Sequence, residues 1–208
     1  SNGKLTLMKV VVVTGGIGSG KSAACRYLHS KYGWPVFEAD SRVKELYKEH
    51  PTLLYDIEDS LGVSLRDSSG KFEPQLLAGV IFNDSEALEK VENLVFPVLT
   101  EDFKLWKEQN IESRFGLLES ATILQKPQLK GMGDVTVLVD APVDIRMERA
   151  AARNGVPRET ICKRMESQLY MNDISNGTVE CPADFLVTNS GTLSQLEKKM
   201  DKLVEIIL

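Results

Sequence analysis

Gly15-Gly16-Ile17-Gly18-Ser19-Gly20-Lys21-Ser22 decides how this chain is read. The octet meets the spacing G-x-x-x-x-G-K-[ST] at every fixed position. Glycines keep a turn free of side chains and permit backbone angles that other residues resist. Successive N–H groups can then converge on one anion, and the positive end of a following helix adds to the attraction. On this reading Gly16, Ile17, Gly18, Ser19, Gly20, Lys21, Ser22 and Ala23 cradle a nucleoside triphosphate. Lys21 reaches the β- and γ-phosphates, and the Ser22 hydroxyl ligates Mg²⁺. A glycine-rich surface turn is the alternative, and the flanks argue against it. Leu7 to Thr14 is almost wholly apolar, as a strand buried on both faces should be, and a helix follows from about Lys21 to Ser30.

Further along, strand and helix signals alternate, which favours an α/β fold around a parallel sheet. Gly33 is expected to close the first helix, and Pro35 to Glu38 to form a second strand. Helical segments are expected at Val43–Tyr47, Leu53–Leu61, Gln75–Ile81 and Glu86–Gln109, the last bending or breaking near Pro97. Arg114 to Leu124 reads as the third strand and Val135 to Val139 as the fourth. Helices follow over Val143–Arg153 and Pro157–Tyr170, then a fifth strand from Ala183 to Thr188. Leu193, Leu196, Met200, Leu203, Val204 and Ile207 form one helical stripe, opened by a capping box of Thr192 and Gln195.

The domain reading is a single kinase-like domain over residues 1–208. Its core spans about 5–40 and 113–208, with a helical acceptor-binding insertion at about 41–112 and a lid at about 146–171. A net charge of −5 gives no global attraction to nucleic acid or anionic membranes. The longest apolar run, Val10 to Val13, is far too short to span a bilayer. Three scattered cysteines, Cys25, Cys162 and Cys181, suggest neither a disulfide framework nor a zinc site. A reduced, cytoplasmic setting is therefore expected. Ser1-Asn2-Gly3 reads as a tag remnant. Oligomeric state is left open.

Asp40 follows the second strand directly, at the strand end where open parallel sheets gather ligands. Its carboxylate could accept a proton from an attacking hydroxyl or hold Mg²⁺ through water; a helix N-cap is the alternative. Arg146, Arg149 and Arg153 share a helical face, with Arg158 and Arg164 beyond. They suit a transferring phosphoryl group, but equally a solvated face paired with Glu148, Glu159 and Glu166. Thr188-Asn189-Ser190-Gly191 could meet a purine or simply turn the chain. His29 and His50 sit in no ligand pattern, and Trp34 and Trp106 read as packing residues.

Together these stretches resemble the dephospho-CoA kinase family. The loop from Thr14 to Ser22 is similar to that family's phosphate loop, and Glu38-Ala39-Asp40 resembles its Asp-Ala-Asp segment. Leu76-Leu77-Ala78-Gly79-Val80-Ile81-Phe82 and Glu92-Asn93-Leu94-Val95-Phe96-Pro97 resemble its acceptor region. Arg149, Arg153, Arg164 and Gln168 fall where its lid arginines and glutamine recur, and Ala183-Asp184 with Asn189-Ser190-Gly191 resembles its closing signature. The resemblance implies a three-layer P-loop kinase fold with a five-stranded parallel sheet and helical acceptor and lid regions. It implies ATP as phosphoryl donor and the dephospho-CoA 3′-hydroxyl as acceptor. Asp40 is then the base, Lys21, Arg149 and Arg153 the cations at the phosphoryl group, and Asn189 and Gly191 part of the nucleotide site. Departures fall on the acceptor side: Phe96 for the usual histidine, Gln125 for a glutamate after the third strand, Lys44 for an arginine, and Pro74 or Gln75 for a basic residue. A kinase with another acceptor, or an ATP-binding regulator with little turnover, remains open.

Overall fold

A computed structural model describes residues 7–208, so the Ser1-Asn2-Gly3 segment lies outside the described residues. Val10 to Val13 are β-branched and buried, and they form the heart of β1 (Lys9–Thr14). β1 pairs in parallel with β3 (Phe115–Glu119) on one side and β4 (Val135–Asp140) on the other. β2 (Val36–Glu38) and β5 (Phe185–Thr188) complete a five-stranded parallel sheet in the order β2-β3-β1-β4-β5. The chain leaves β1 toward one edge and later returns to the other side of it. The carboxyl end of β1 is thus a topological switch point, where ligands of such sheets bind.

The chain forms two compact units. The first holds the sheet and joins the residues through Glu38 to Asn110–Leu208. On one sheet face, Val11, Val13, Leu117, Val137 and Val139 pack with Leu28 of α1 (Lys21–Tyr32) and with Leu196, Met200 and Leu203 of α9 (Leu193–Ile207). Trp34 stacks on Phe115 in that core, with ring centroids 4.8 Å apart. Leu138 alternates with its neighbours and so faces the other way. It packs against Met171 and Ile174 of α8 (Leu169–Ser175). Helices on both faces make three layers. α6 (Val143–Asn154) and α7 (Arg158–Glu166) share a small core of Ala150, Ile161 and Met165. Thr192 and Gln195 form the expected capping box at the start of α9, and Gly33, at φ 71°, ends α1.

The second unit, Ala39–Gln109, is helical: α2 (Ala39–Glu49), α3 (Pro51–Leu61), α4 (Pro74–Ile81) and α5 (Ser85–Gln109). Pro51 and Pro74 open their helices, where no N–H is needed. Phe103 stacks on Trp106, so both tryptophans serve packing. Of the bend or break expected near Pro97, a break does not occur. Helix α5 runs through it, with Pro97 on the exposed side, where a carbonyl left without its N–H can face solvent.

Two further expectations are corrected. The third strand ends at Glu119 rather than Leu124, because the Ser120 hydroxyl accepts the Thr122 N–H at 3.3 Å and turns the chain into two short 3-10 segments. The helix expected over Pro157–Tyr170 is two helices. Ser167 Oγ bonds the Arg164 carbonyl at 2.6 Å and Asn172 Nδ2 the Met165 carbonyl at 3.0 Å, so side chains take acceptors a continuous helix would use. No helix among the described residues is long and apolar enough to cross a membrane.

Candidate active site

The phosphate loop leaves β1 at its switch point. Gly18 and Gly20 adopt φ of 75° and 100°, values only glycine takes without strain. A Cβ on Gly18 would strike the Arg146 carbonyl, and one on Gly20 would strike Asn189 Nδ2. The Ser19 N–H donates to the Gly16 carbonyl at 3.1 Å, curling the loop. Gly20 precedes α1 without a side-chain cap, so the first-turn donors of that helix stay open to an anion. Lys21 and Ser22 are the first two residues of α1, as the sequence requires.

Side chains from later in the chain hold this loop. Asn189 Nδ2 donates to the Ser19 carbonyl at 2.9 Å, and the Asn189 N–H to the Asp140 carbonyl at 2.7 Å. Arg149 Nη2 reaches the Gly191 carbonyl at 3.3 Å, while its Nη1 is buried without a hydrogen-bond partner. Gln168 Oε1 accepts the Ile17 N–H at 2.9 Å. The arginines expected to share one environment separate. Arg153 is exposed, Arg149 half-buried and Arg146 fully buried, at 0% exposure. Arg146 therefore belongs to no solvated face. Burial pulls its guanidinium below its ordinary pKa, with Asp140 opposing.

Ser22 Oγ donates to Glu119 Oε1 at 2.5 Å. Glu119 is the last residue of β3, in register with Val13 of β1 and with Glu38 of β2. The resemblance sets Gln125 where the family has a glutamate after the third strand. Gln125 lies exposed in a 3-10 segment, and the carboxylate at the strand end is Glu119. A cavity of about 320 Å³ opens here, lined by Ser22, Cys25, Arg26, His29, Val36, Glu38 and Glu119. Burial, reinforced by Glu119, pushes the Cys25 thiol well above its usual pKa and keeps it unreactive.

Asp40 lies in the first turn of α2, within the second unit. The helix begins at Ala39, one residue before it, so Asp40 is no N-cap. Arg42, unnoticed in the sequence, grips Asp102 through Nε at 2.6 Å and Nη2 at 2.9 Å, and Glu49 through both terminal nitrogens. Lys44 is exposed on α2, Pro74 and Gln75 open α4, and Phe96 is half-buried on α5.

A phosphate-gripping loop at the switch point of a parallel sheet, followed by a lysine and a hydroxyl beside a carboxylate, defines a P-loop phosphotransferase. The family profile described as dephospho-CoA kinase matches residues 9–195, and on that span the chain belongs to the dephospho-CoA kinase family. It is 38% identical to the dephospho-CoA kinase of Porphyromonas gingivalis over 161 residues, covering 77% of this chain and 78% of that one. It is 33% identical to the enzyme of Chlorobaculum tepidum over 210 residues, covering 99% and 98%. Among solved structures, TT1252 from Thermus thermophilus superposes with a TM-score of 0.76 at 25% identity, covering 97% of this chain and 98% of that one. Dephospho-CoA kinase from Campylobacter jejuni shares the fold, with a TM-score of 0.56 at 19% identity over 97% and 98%.

Proposed function

We propose that this chain transfers the γ-phosphate of ATP to the 3′-hydroxyl of dephospho-CoA, the last step of coenzyme A synthesis. The match to the family along residues 9–195 carries this reading, because it takes in the phosphate loop and the helical acceptor segments alike. In the proposed reaction the amides of Gly16 to Ala23 hold the triphosphate. The Lys21 ammonium sits against its outer phosphates as negative charge spreads over the transferring group. Asp40 accepts the proton of the attacking hydroxyl. Arg149 and Arg153 supply guanidinium donors from α6, and the buried, unpartnered Nη1 of Arg149 is the donor with most to gain from an anion. Asn189 and Gly191 border the nucleotide.

Mg²⁺ fits the oxygens present. Ser22 and Glu119 offer a hydroxyl and a carboxylate, hard donors of the kind this ion takes. An ion of this kind keeps several waters and takes others of its ligands from substrate phosphates. Ser22 would hold the ion directly, with Glu119 behind its hydroxyl, and the ion would neutralise phosphate charge. The setting proposed is the cytoplasm.

An ATP-coupled assay with dephospho-CoA tests the proposal. Phosphorylation of dephospho-CoA in preference to a panel of nucleosides, sugars and shikimate-like alcohols is expected. Efficient transfer to another acceptor, beside none to dephospho-CoA, would overturn it.

A further inference from the structure

Arg146 is the largest fully buried side chain of the protein's described residues, yet it carries a charge. Burying an unpaired cation costs far more than one hydrogen bond returns, so each of its donors needs a partner. Its partners come from three parts of the first unit. Nε donates to the Ala141 carbonyl at 3.0 Å, at the end of β4. Nη2 donates to Asn172 Oδ1 at 2.7 Å and Ser175 Oγ at 3.2 Å, both on α8. Nη1 points to the Ile17 carbonyl at 3.5 Å, in the phosphate loop. Ser175 passes the charge on, donating to Asp140 Oδ1 at 2.6 Å.

Ile17 is thereby held on both sides. Gln168, just before α8, takes its N–H, and Arg146 faces its carbonyl. Glycine at the adjoining positions is what admits this grip. A Cβ on Gly16 would stand 2.5 Å from Arg146 Nη1, and one on Gly18 would strike the Arg146 main chain. The contact leaves no room for adjustment on the loop side. We infer that Arg146 and Gln168 are positioning residues: together they clamp the Ile17 main chain to the segment 168–175, so that the shape of the phosphate loop, and with it affinity for ATP, depends on that segment staying docked.

The clamp differs from a general contribution to stability in what it should change. Partial unfolding lowers the active fraction and hence the apparent kcat, whereas a misshapen loop weakens ATP while leaving the acceptor untouched. Gln168→Ala removes one bond at a half-buried position, and Arg146→Lys keeps a charge but cannot fork to several acceptors. Titration calorimetry with Mg-ATP, alongside KM for each substrate, should give roughly tenfold weaker ATP binding in Gln168→Ala, as losing a well-made hydrogen bond implies, and weaker binding in Arg146→Lys as well. KM for dephospho-CoA should stay unchanged. Adding Gln168→Ala to Arg146→Lys should cost less than the sum of the two, since both act on one residue. Should Arg146→Lys fail to fold, Gln168→Ala decides alone. ATP affinity within twofold of the parent in folded Gln168→Ala would overturn the inference. The calorimetric arm needs no acceptor, so it stands apart from the proposed reaction. Failure of the parent to phosphorylate dephospho-CoA would count against that reaction only.

Discussion

Ser22, the second residue of the phosphate-loop helix, donates its hydroxyl to Glu119, the last residue of the neighbouring strand β3, at 2.5 Å. The bond orients a hydroxyl that the sequence alone marks as a metal ligand, and it sets a negative charge directly behind it. Glu119→Gln keeps an oxygen for Ser22 but deletes that charge. Activity should fall roughly 10- to 100-fold, the usual cost of removing the group that orients a metal ligand. The Mg²⁺ concentration for half-maximal rate should rise, and a magnesium titration of the initial rate measures both. An unchanged magnesium dependence would remove Glu119 from the site.

Lys21→Ala should abolish turnover, because the charge proposed to sit at the outer phosphates has no substitute in the loop. Asp40→Asn should lower kcat by about 10²- to 10⁴-fold, the range of a lost general base. ATP affinity by calorimetry should remain near that of the parent, since Asp40 belongs to α2 and not to the phosphate loop. Full activity in Asp40→Asn would reject its role as base.

Gly18→Ala and Gly33→Ala separate two consequences of one backbone conformation. Both residues have positive φ, 75° and 71°, so each alanine carries about 1–2 kcal/mol of left-handed strain. At Gly33 a Cβ meets nothing within 4 Å, whereas at Gly18 it strikes the Arg146 carbonyl. Thermal unfolding should fall by a few degrees for Gly33→Ala with KM for ATP intact. Gly18→Ala should lose ATP binding as well. Equal ATP affinity in the two variants would show that the loop tolerates a side chain there.

Asp201 of α9 accepts from Tyr27 and Tyr32 of α1 and pairs with Lys31 at 2.9 Å, and these donors hold its carboxyl below the ordinary aspartate pKa. A depressed folded-state pKa stabilises the fold above the unfolded value, about 3.9, and that contribution vanishes as pH falls through the folded value. Asp201→Asn should therefore lower the melting temperature at pH 7, and the gap to the parent should close as the pH drops below the unfolded value and through the depressed folded one. Because the cluster lies at the surface, added salt should shrink the gap too. A gap that widens in acid would contradict the assignment.

Much of this arrangement was legible where local chemistry dominates. The valine run, the glycine spacing and the Thr192–Gln195 cap each act over a few residues, and each appears as read. What stayed hidden depends on partners distant in sequence. Arg146 reads as one of three arginines on an amphipathic helix, and only the approach of Ile17, Asn172 and Ser175 buries it. Glu119 was set inside an overlong strand because the turn that ends β3 is made by a serine hydroxyl, which periodicity does not register. Between a bend and a break at Pro97 the sequence does not decide, and α5 continues through it where the orphaned carbonyl can meet water.

The strand β1 has consequences for the order of assembly. It occupies residues 9–14, but its neighbours in the sheet come from residues 115–119 and 135–140, and the loop after it is shaped by Arg146, Gln168 and Asn189. Contacts of such long sequence separation form late. On a ribosome, β1 and the loop after it emerge well before the strands and side chains that hold them. Nucleotide can reward only a finished molecule, drawing the last step of folding forward without rescuing any earlier intermediate.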